Sequence, residues 1–154
     1  GGNPRMTDTD KHPKQDGASV PADLFEPPSA LAAHLGIAMT GWRRGWARVE
    51  APMAPELLNR QGLPHGGLHA TLLDTAMGFS GCFTGDPARR QMALTLSLTV
   101  NYLGQAQGRR LIAEARVTGG GRKTYFAEGT VHDDTGTLIA TGTGVFRYRG
   151  SPGA

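Results

Sequence analysis

Cysteine and long hydrophobic runs are nearly absent from this sequence of 154 residues. The single cysteine, Cys82, excludes an intramolecular disulfide bond and favours a reducing compartment, so we expect a cytoplasmic protein. The chain has no run of about 18 apolar residues, which argues against a transmembrane helix and a membrane partner. Its first residues also lack the apolar core of a signal peptide.

Charge of one sign is not concentrated either. Lysine and arginine total 16, aspartate and glutamate total 13, and the formal net charge is +3. Nucleic-acid-binding proteins usually concentrate basic residues in a stripe together with aromatic ones. Here the basic residues are scattered, so we expect no nucleic-acid partner. The basic residues fall in pairs, typical of a solvated surface or of contact with a small anionic ligand: Arg43-Arg44, Arg89-Arg90, Arg109-Arg110 and Arg122-Lys123.

Chain length and proline distribution predict one domain behind an N-terminal arm. Residues 1–27 are polar, prolines stand at positions 4, 13, 21, 27 and 28, and we predict a disordered or loosely attached arm. Residues 28–150 then form a single domain, long enough for a hydrophobic core, and residues 151–154 form a tail. Residues 27–37 predict a short helix, with Ser29 as its N-cap and Gly36 as its stop.

The remaining pattern predicts an α+β fold. Residues 67–83, GLHATLLDTAMGFSGCF, are apolar on nearly every side and have the length of a helix, so we predict a buried helix. Strand-like alternation precedes it at residues 39–53 and follows it at residues 93–103 and 109–120, with a hairpin over residues 123–149. A helix that is apolar on all sides needs cover on all sides, which a curved antiparallel sheet wrapped around it provides.

Two glycines stand where this helix is predicted to start. Residues 59–67 read NRQGLPHGG, and Gly66 and Gly67 would carry the first N–H groups of the helix. These groups lack a partner within the helix and carry partial positive charge, and glycine lets a ligand atom approach them closely. The pattern is typical of an oxyanion hole, and also of a tight turn that only redirects the chain.

Asp74 is the only charged residue of the predicted helix. Burying an unpaired carboxylate is costly, so its position indicates a pocket and a role as base or nucleophile; a polar edge of the helix is the alternative. Eight residues separate Gly66 from Asp74, about 12 Å along a helix axis, so one small electrophilic group cannot contact both in one chain. Two antiparallel helices across a two-fold axis would bring them together, which predicts a homodimer with two composite sites.

The same residues resemble a family signature. Residues 59–74, NRQGLPHGGLHATLLD, resemble the N-x-x-G-x-x-H-G-G-x(6)-D motif of hotdog-fold thioesterases of the PaaI-type acyl-CoA branch. The likeness runs from about residue 31 to residue 148 and includes LTLSLTVNYLGQA and the closing hairpin. It implies a hotdog fold and hydrolysis of an acyl-CoA thioester without a metal or separate cofactor. It also implies a homodimer or a homotetramer.

The resemblance further implies roles for five residues in catalysis. Asp74 would be the general base or the nucleophile, and the Gly66 N–H would polarise the thioester carbonyl. Asn59 and His65 would orient the thioester or the attacking water. The Thr95 hydroxyl would support the water or the carboxylate.

On the substrate side the resemblance implies binding by Gly67, Arg122 and Lys123, the last two near the pantetheine or nucleotide of coenzyme A. One departure from the family is Pro64, which stands before His65 where a Thr, Val or Cys is common. Proline restricts the backbone that enters the helix. Small aromatic and medium-length aliphatic acyl groups both fit the pattern.

Other sites and functions have weaker signals. His65 and His69 have the i, i+4 spacing of a zinc helix, but Gly66 stands in place of the glutamate of the metalloprotease pattern, so we predict no metal. The GGGRK segment at residues 119–123 lacks the spacing of a phosphate-binding loop. A non-catalytic acyl-CoA-binding module on the same fold is the alternative function, although a binding module has no need of a buried base. A hydratase would pair an Asp with a His in a motif that we do not find.

Overall fold

A six-stranded antiparallel sheet and one long helix make up most of the computed structural model, which describes residues 19–150. Residues 1–18 and 151–154 lie outside the described part, and with them lie the predicted tail and most of the predicted arm. The elements in chain order are α1 (Ala30–Leu35), β1 (Ala38–Arg43), β2 (Trp46–Pro52), α2 (Gly66–Ser80), β3 (Met92–Tyr102), β4 (Arg110–Gly120), β5 (Thr124–Asp133) and β6 (Leu138–Arg149). The strand order in the sheet is β1-β2-β4-β5-β6-β3.

The predicted arrangement of sheet and helix is confirmed. Helix α2 contacts all six strands, so the curved sheet wraps around it. The short helix α1 also has the predicted ends. The Ser29 hydroxyl oxygen accepts a hydrogen bond from the Ala32 N–H at 3.2 Å, and Gly36 adopts the left-handed conformation with φ of 73°.

The core lies between α2 and the sheet. Leu72, Leu73 and Met77 are fully buried on the sheet-facing side of α2, and burial of each such side chain contributes roughly 1.5–3 kcal/mol. Two glycines in the central strands let the helix come close: a Cβ on Gly129 or on Gly142 would lie 3.0 Å from the Leu73 side chain. The helix therefore sits directly on the backbone of β5 and β6.

One side of α2 is open in the single chain. Ala70, Thr71, Asp74 and Thr75 are only partly buried, and Gly67 is exposed. In one copy of the chain the sheet therefore covers the strand-facing side of this helix and leaves the opposite side open. The open side carries the one charged residue of the helix.

The turn between β5 and β6 is organised by one buried carboxylate. Asp133 Oδ2 accepts hydrogen bonds from the N–H groups of Gln107 and Gly108, and Oδ1 accepts them from the N–H groups of Thr135 and Thr137 and from the Thr135 hydroxyl. Burial alone would raise the pKa of Asp133, but these hydrogen bonds outweigh it and hold the pKa at about 2. The carboxylate ties the loop after β3 to the hairpin.

A second, smaller cluster lies beside the C-terminal end of α2. Leu24, Trp42, Ala47 and Cys82 are buried there, so the described end of the predicted arm packs against the domain. Burial raises the pKa of the Cys82 thiol to about 11. No helix within residues 19–150 is both long enough and apolar enough to cross a membrane.

Candidate functional site

Asp74 lies on the open side of α2 and is held by one residue of β3. The Thr95 hydroxyl donates a hydrogen bond to Asp74 Oδ1 at 2.7 Å. A hydroxyl donor of this kind fixes the orientation of the carboxylate. The structure therefore brings together two of the predicted site residues, and no described residue donates a hydrogen bond to the second carboxylate oxygen, Oδ2.

Some of the first N–H groups of α2 donate hydrogen bonds within the protein, and one remains free in the part of the chain that the structure describes. His65 is the N-cap: its Nδ1 accepts a hydrogen bond from the Gly67 N–H at 2.8 Å, and its carbonyl oxygen accepts one from the Leu68 N–H at 2.9 Å. Within the described residues the Gly66 N–H has no acceptor. This leaves a free backbone donor at the positive end of the helix dipole.

Asn59 shapes the loop that leads into α2. Its Oδ1 accepts hydrogen bonds from the N–H groups of Gln61 at 2.9 Å and Leu63 at 3.2 Å, which closes a tight turn containing Gly62. Gly62 has φ of 76°, a conformation that favours glycine. The side-chain oxygen of Asn59 is thus engaged by the loop, and its amide group remains the part that can face a ligand.

Tyr102, at the end of β3, is a site residue that sequence reasoning missed. Its hydroxyl donates a hydrogen bond to the Gly66 carbonyl oxygen at 2.6 Å, and its ring lies 3.4 Å from the position that a Cβ on Gly66 would take. Its ring also lies beside His69, whose Nδ1 is buried and has no hydrogen-bond partner among the described residues. Burial lowers the pKa of His69.

The exposed turn between β4 and β5 carries Arg122 and Lys123. The Lys123 carbonyl oxygen accepts a hydrogen bond from the Tyr148 N–H at 2.8 Å, and Tyr148 pairs with Ala93, two residues before Thr95. The basic pair therefore lies at the same end of the sheet as Thr95. Gly66 lies at the other end of β3, beside Tyr102, so one chain does not bring it to Asp74.

Strand β3 is an edge strand with a large apolar surface. In the part of the chain that the structure describes, β3 pairs only with β6. Met92, Leu94 and Leu96 are exposed by 63%, 52% and 56%. An open edge with exposed apolar side chains is typical of a surface that pairs with another chain.

Comparison with known proteins adds a family to this geometry. A family model described as the thioesterase superfamily matches residues 61–140. A candidate esterase of Halobacterium salinarum is 32% identical over 142 residues, which cover 86% of this chain and 93% of that protein.

Two solved structures are also similar to this chain. A Bacillus halodurans protein, crystallised with CoA, is 31% identical with a TM-score of 0.67, over 80% of this chain and 78% of that one. The Escherichia coli PaaI protein from the phenylacetic acid degradation operon shares the fold, with a TM-score of 0.70, 23% identity and coverage of 80% and 87%. The predicted hotdog fold is confirmed.

Proposed function

Because the chain belongs to the thioesterase superfamily, we propose that it hydrolyses the thioester of an acyl-CoA with a small aromatic or medium-length acyl group. The site would be shared by two copies of the chain. The observation that carries this proposal is the Asp74 carboxylate, oriented by Thr95 on an open, otherwise apolar helix side. A purely structural role does not explain why a carboxylate faces that surface.

Asp74 would act on the water or on the thioester itself. As general base, its free Oδ2 accepts a proton from water while the water oxygen bonds to the thioester carbon. The C–S bond then breaks, the sulfur leaves as the coenzyme A thiolate, and the proton passes to that sulfur. As nucleophile, the carboxylate oxygen attacks the thioester carbon, the C–S bond breaks and the coenzyme A thiolate leaves a mixed anhydride. Water then cleaves the anhydride to the free acid and the Asp74 carboxylate, and the remaining proton passes to the thiolate.

The start of α2 supplies donors for the developing oxyanion. The free Gly66 N–H is a fixed dipole at the helix N-terminus, and its position needs no rearrangement during the reaction. Because His65 Nδ1 accepts the Gly67 N–H, its neutral ring carries its proton on Nε2. His65 thereby has a donor beside Gly66 to orient the carbonyl or the water.

A second copy would join the acid to these donors. Thr95 and Tyr102 lie near opposite ends of β3, with Leu98 between them. Antiparallel pairing of two β3 strands about Leu98 would place each Asp74 beside the Gly66 N–H of the other copy. The exposed apolar edge of β3 supports this pairing. Both a homodimer and a tetramer of two such dimers contain it.

The coenzyme A part of the substrate would lie toward Arg122 and Lys123. Both side chains are exposed in the turn at the Thr95 end of the sheet, where they can meet phosphate groups. The Bacillus halodurans relative crystallised with CoA supports coenzyme A as the carrier. No metal or separate cofactor enters this proposal.

Thiol release from a panel of acyl-CoA esters tests the proposal. We expect turnover by the parent chain and a loss of about 10²-fold or more in kcat for Asp74→Asn, because the amide cannot accept the proton. Unchanged binding of coenzyme A esters by the variant would locate the loss in the chemical step. Binding of these esters without hydrolysis by the parent chain would overturn the proposal in favour of a non-catalytic binding module.

A further inference from the structure

We infer that a cavity beside α2 receives the far end of a straight, medium-length acyl chain, which narrows the substrate of the function proposed above and rests on it. The cavity measures about 110 Å³. It lies between the segment before α1, strands β1 and β2, and the side of α2 that faces away from β3. Its walls are mainly apolar and include Phe25, Pro27, Ala32, Met39, Val49 and Phe79.

The cavity and the Asp74 carboxylate share one helix surface. Thr75 forms part of the cavity wall and directly follows Asp74 in α2. Successive helix residues are about 100° apart, because a turn takes 3.6 residues. The path from the carboxylate to the cavity therefore crosses the open side of α2, over Thr71 and Thr75, which stack one turn apart.

The surface along this path is suited to an alkyl chain. The Thr71 hydroxyl donates a hydrogen bond to the Gly67 carbonyl oxygen at 2.8 Å, and the Thr75 hydroxyl donates one to the Thr71 carbonyl oxygen at 2.7 Å. Both hydroxyls are engaged by the helix backbone, so the methyl groups remain as the free surface. An alkyl chain can cross them without leaving a polar group unpaired.

The dimensions select a chain length. A water molecule occupies about 30 Å³, so the cavity accommodates about four methylene-sized groups. Adding the carbons that cross Thr71 and Thr75 gives acyl chains of about six to eight carbons. A phenylacetyl group has its ring one carbon from the carbonyl, so the ring would rest on the threonines and leave the cavity unfilled. Hexanoyl-CoA and octanoyl-CoA are therefore the expected substrates.

Two alanines on α1 provide a matched test. Ala32 is buried in the cavity wall, whereas Ala33 is exposed and does not line the cavity. Ala32→Leu fills the cavity and Ala33→Leu does not. We expect Ala32→Leu to lower kcat/KM for octanoyl-CoA at least tenfold relative to acetyl-CoA, since even one methylene in an apolar pocket discriminates by about tenfold or more. Ala33→Leu should leave the whole series from acetyl to dodecanoyl within about twofold of the parent.

A parallel profile for Ala32→Leu and the parent would overturn the inference while leaving the hydrolase function intact. Calorimetric binding of octyl-CoA thioether tests the cavity without turnover: the parent and Ala33→Leu should bind it at least tenfold more tightly than Ala32→Leu does. If the parent hydrolyses no ester, this binding difference still tests whether the cavity receives the acyl chain. Phe25→Ala removes an exposed wall and should shift the preferred chain to a longer one, which keeps the inference testable if Ala32→Leu does not fold.

Discussion

At the residue scale, the properties of Asp74 arise from its neighbours. The helix around it supplies apolar contacts, Thr95 supplies one hydroxyl donor at 2.7 Å, and the open side leaves Oδ2 accessible. A fully enclosed carboxylate would be too costly to keep ionised. A fully solvated one would have no fixed direction. The combination gives a carboxylate that is both accessible and oriented.

Replacing Thr95 with valine tests this orientation. Thr95→Val keeps the side-chain shape but removes a hydrogen bond to a charged group, worth about 1.5–3 kcal/mol. We expect kcat on the preferred acyl-CoA to fall about tenfold to a hundredfold, with KM changed much less. The control is Thr99→Val, also exposed on β3 but not bonded to Asp74, which should keep kcat within about twofold. Equal losses in both variants would show that Thr95 acts only through strand structure.

The site was predictable from the sequence as far as it depends on local pattern. Asp74 stands out as the one charge of an apolar helix, and Gly66 stands out at the helix start. Tyr102 was missed because only the packing of α2 against the sheet brings it to the Gly66 carbonyl, and the sequence separates the two by 36 residues. The binding of Asn59 to its own loop was missed for a different reason, since it depends on the tight turn at Gly62.

At the scale of elements, the sequence predicted the types correctly and the boundaries nearly so. Helix α2 covers Gly66–Ser80, against a prediction of residues 67–83. Strand β3 covers Met92–Tyr102, against residues 93–103. Periodicity shows which side of an element is apolar. It therefore detects the element but does not define the residues at which the element begins and ends. The strand order is not encoded in this periodicity.

The β5–β6 turn gives a prediction about stability. Asp133→Asn places an amide among five N–H and O–H donors, and we expect a loss on the order of 2 kcal/mol in the free energy of unfolding at pH 7. The pKa of Asp133 is about 2 when folded and about 3.9 when unfolded. The folded state therefore binds fewer protons, and this stabilisation is present above pH 4 and lost as the pH falls toward 2.

Urea denaturation of both proteins from pH 7 to pH 2 measures this dependence. The difference between the parent and Asp133→Asn should shrink below about pH 4. Asp86→Asn is the control, because the Asp86 carboxylate accepts one backbone N–H, from Ala88, in an exposed loop. A difference that stays constant over the whole pH range would contradict the ionised role of Asp133.

At the scale of the whole molecule, the open side of α2 and the unpaired edge of β3 both fit the second copy proposed above. We expect Leu96→Lys to weaken self-association at least tenfold, because pairing about Leu98 sets residue 96 opposite Val100, so each copy would place a lysine charge in an apolar contact between the strands. Thiol release should fall with it, since the proposed site needs both copies. Sedimentation velocity over a concentration series measures the association.

Leu31→Lys is the matched control for this edge. Leu31 is 58% exposed on α1, against 56% for Leu96, so the two substitutions change charge and surface equally. The control should keep both association and activity. Full activity in a monomeric Leu96→Lys protein would contradict a shared site.

The buried thiol of Cys82 bears on the hydrolase function proposed above, because the product of that reaction would itself be a thiol. Thiol–disulfide exchange requires an accessible thiolate. The Cys82 thiol has a pKa of about 11 and is buried with Trp42 and Ala47, so it is neither ionised at neutral pH nor accessible. Coenzyme A disulfide should therefore leave the folded protein unmodified. A thiol-specific dye added to a running reaction should report the released product alone, with no background from the catalyst.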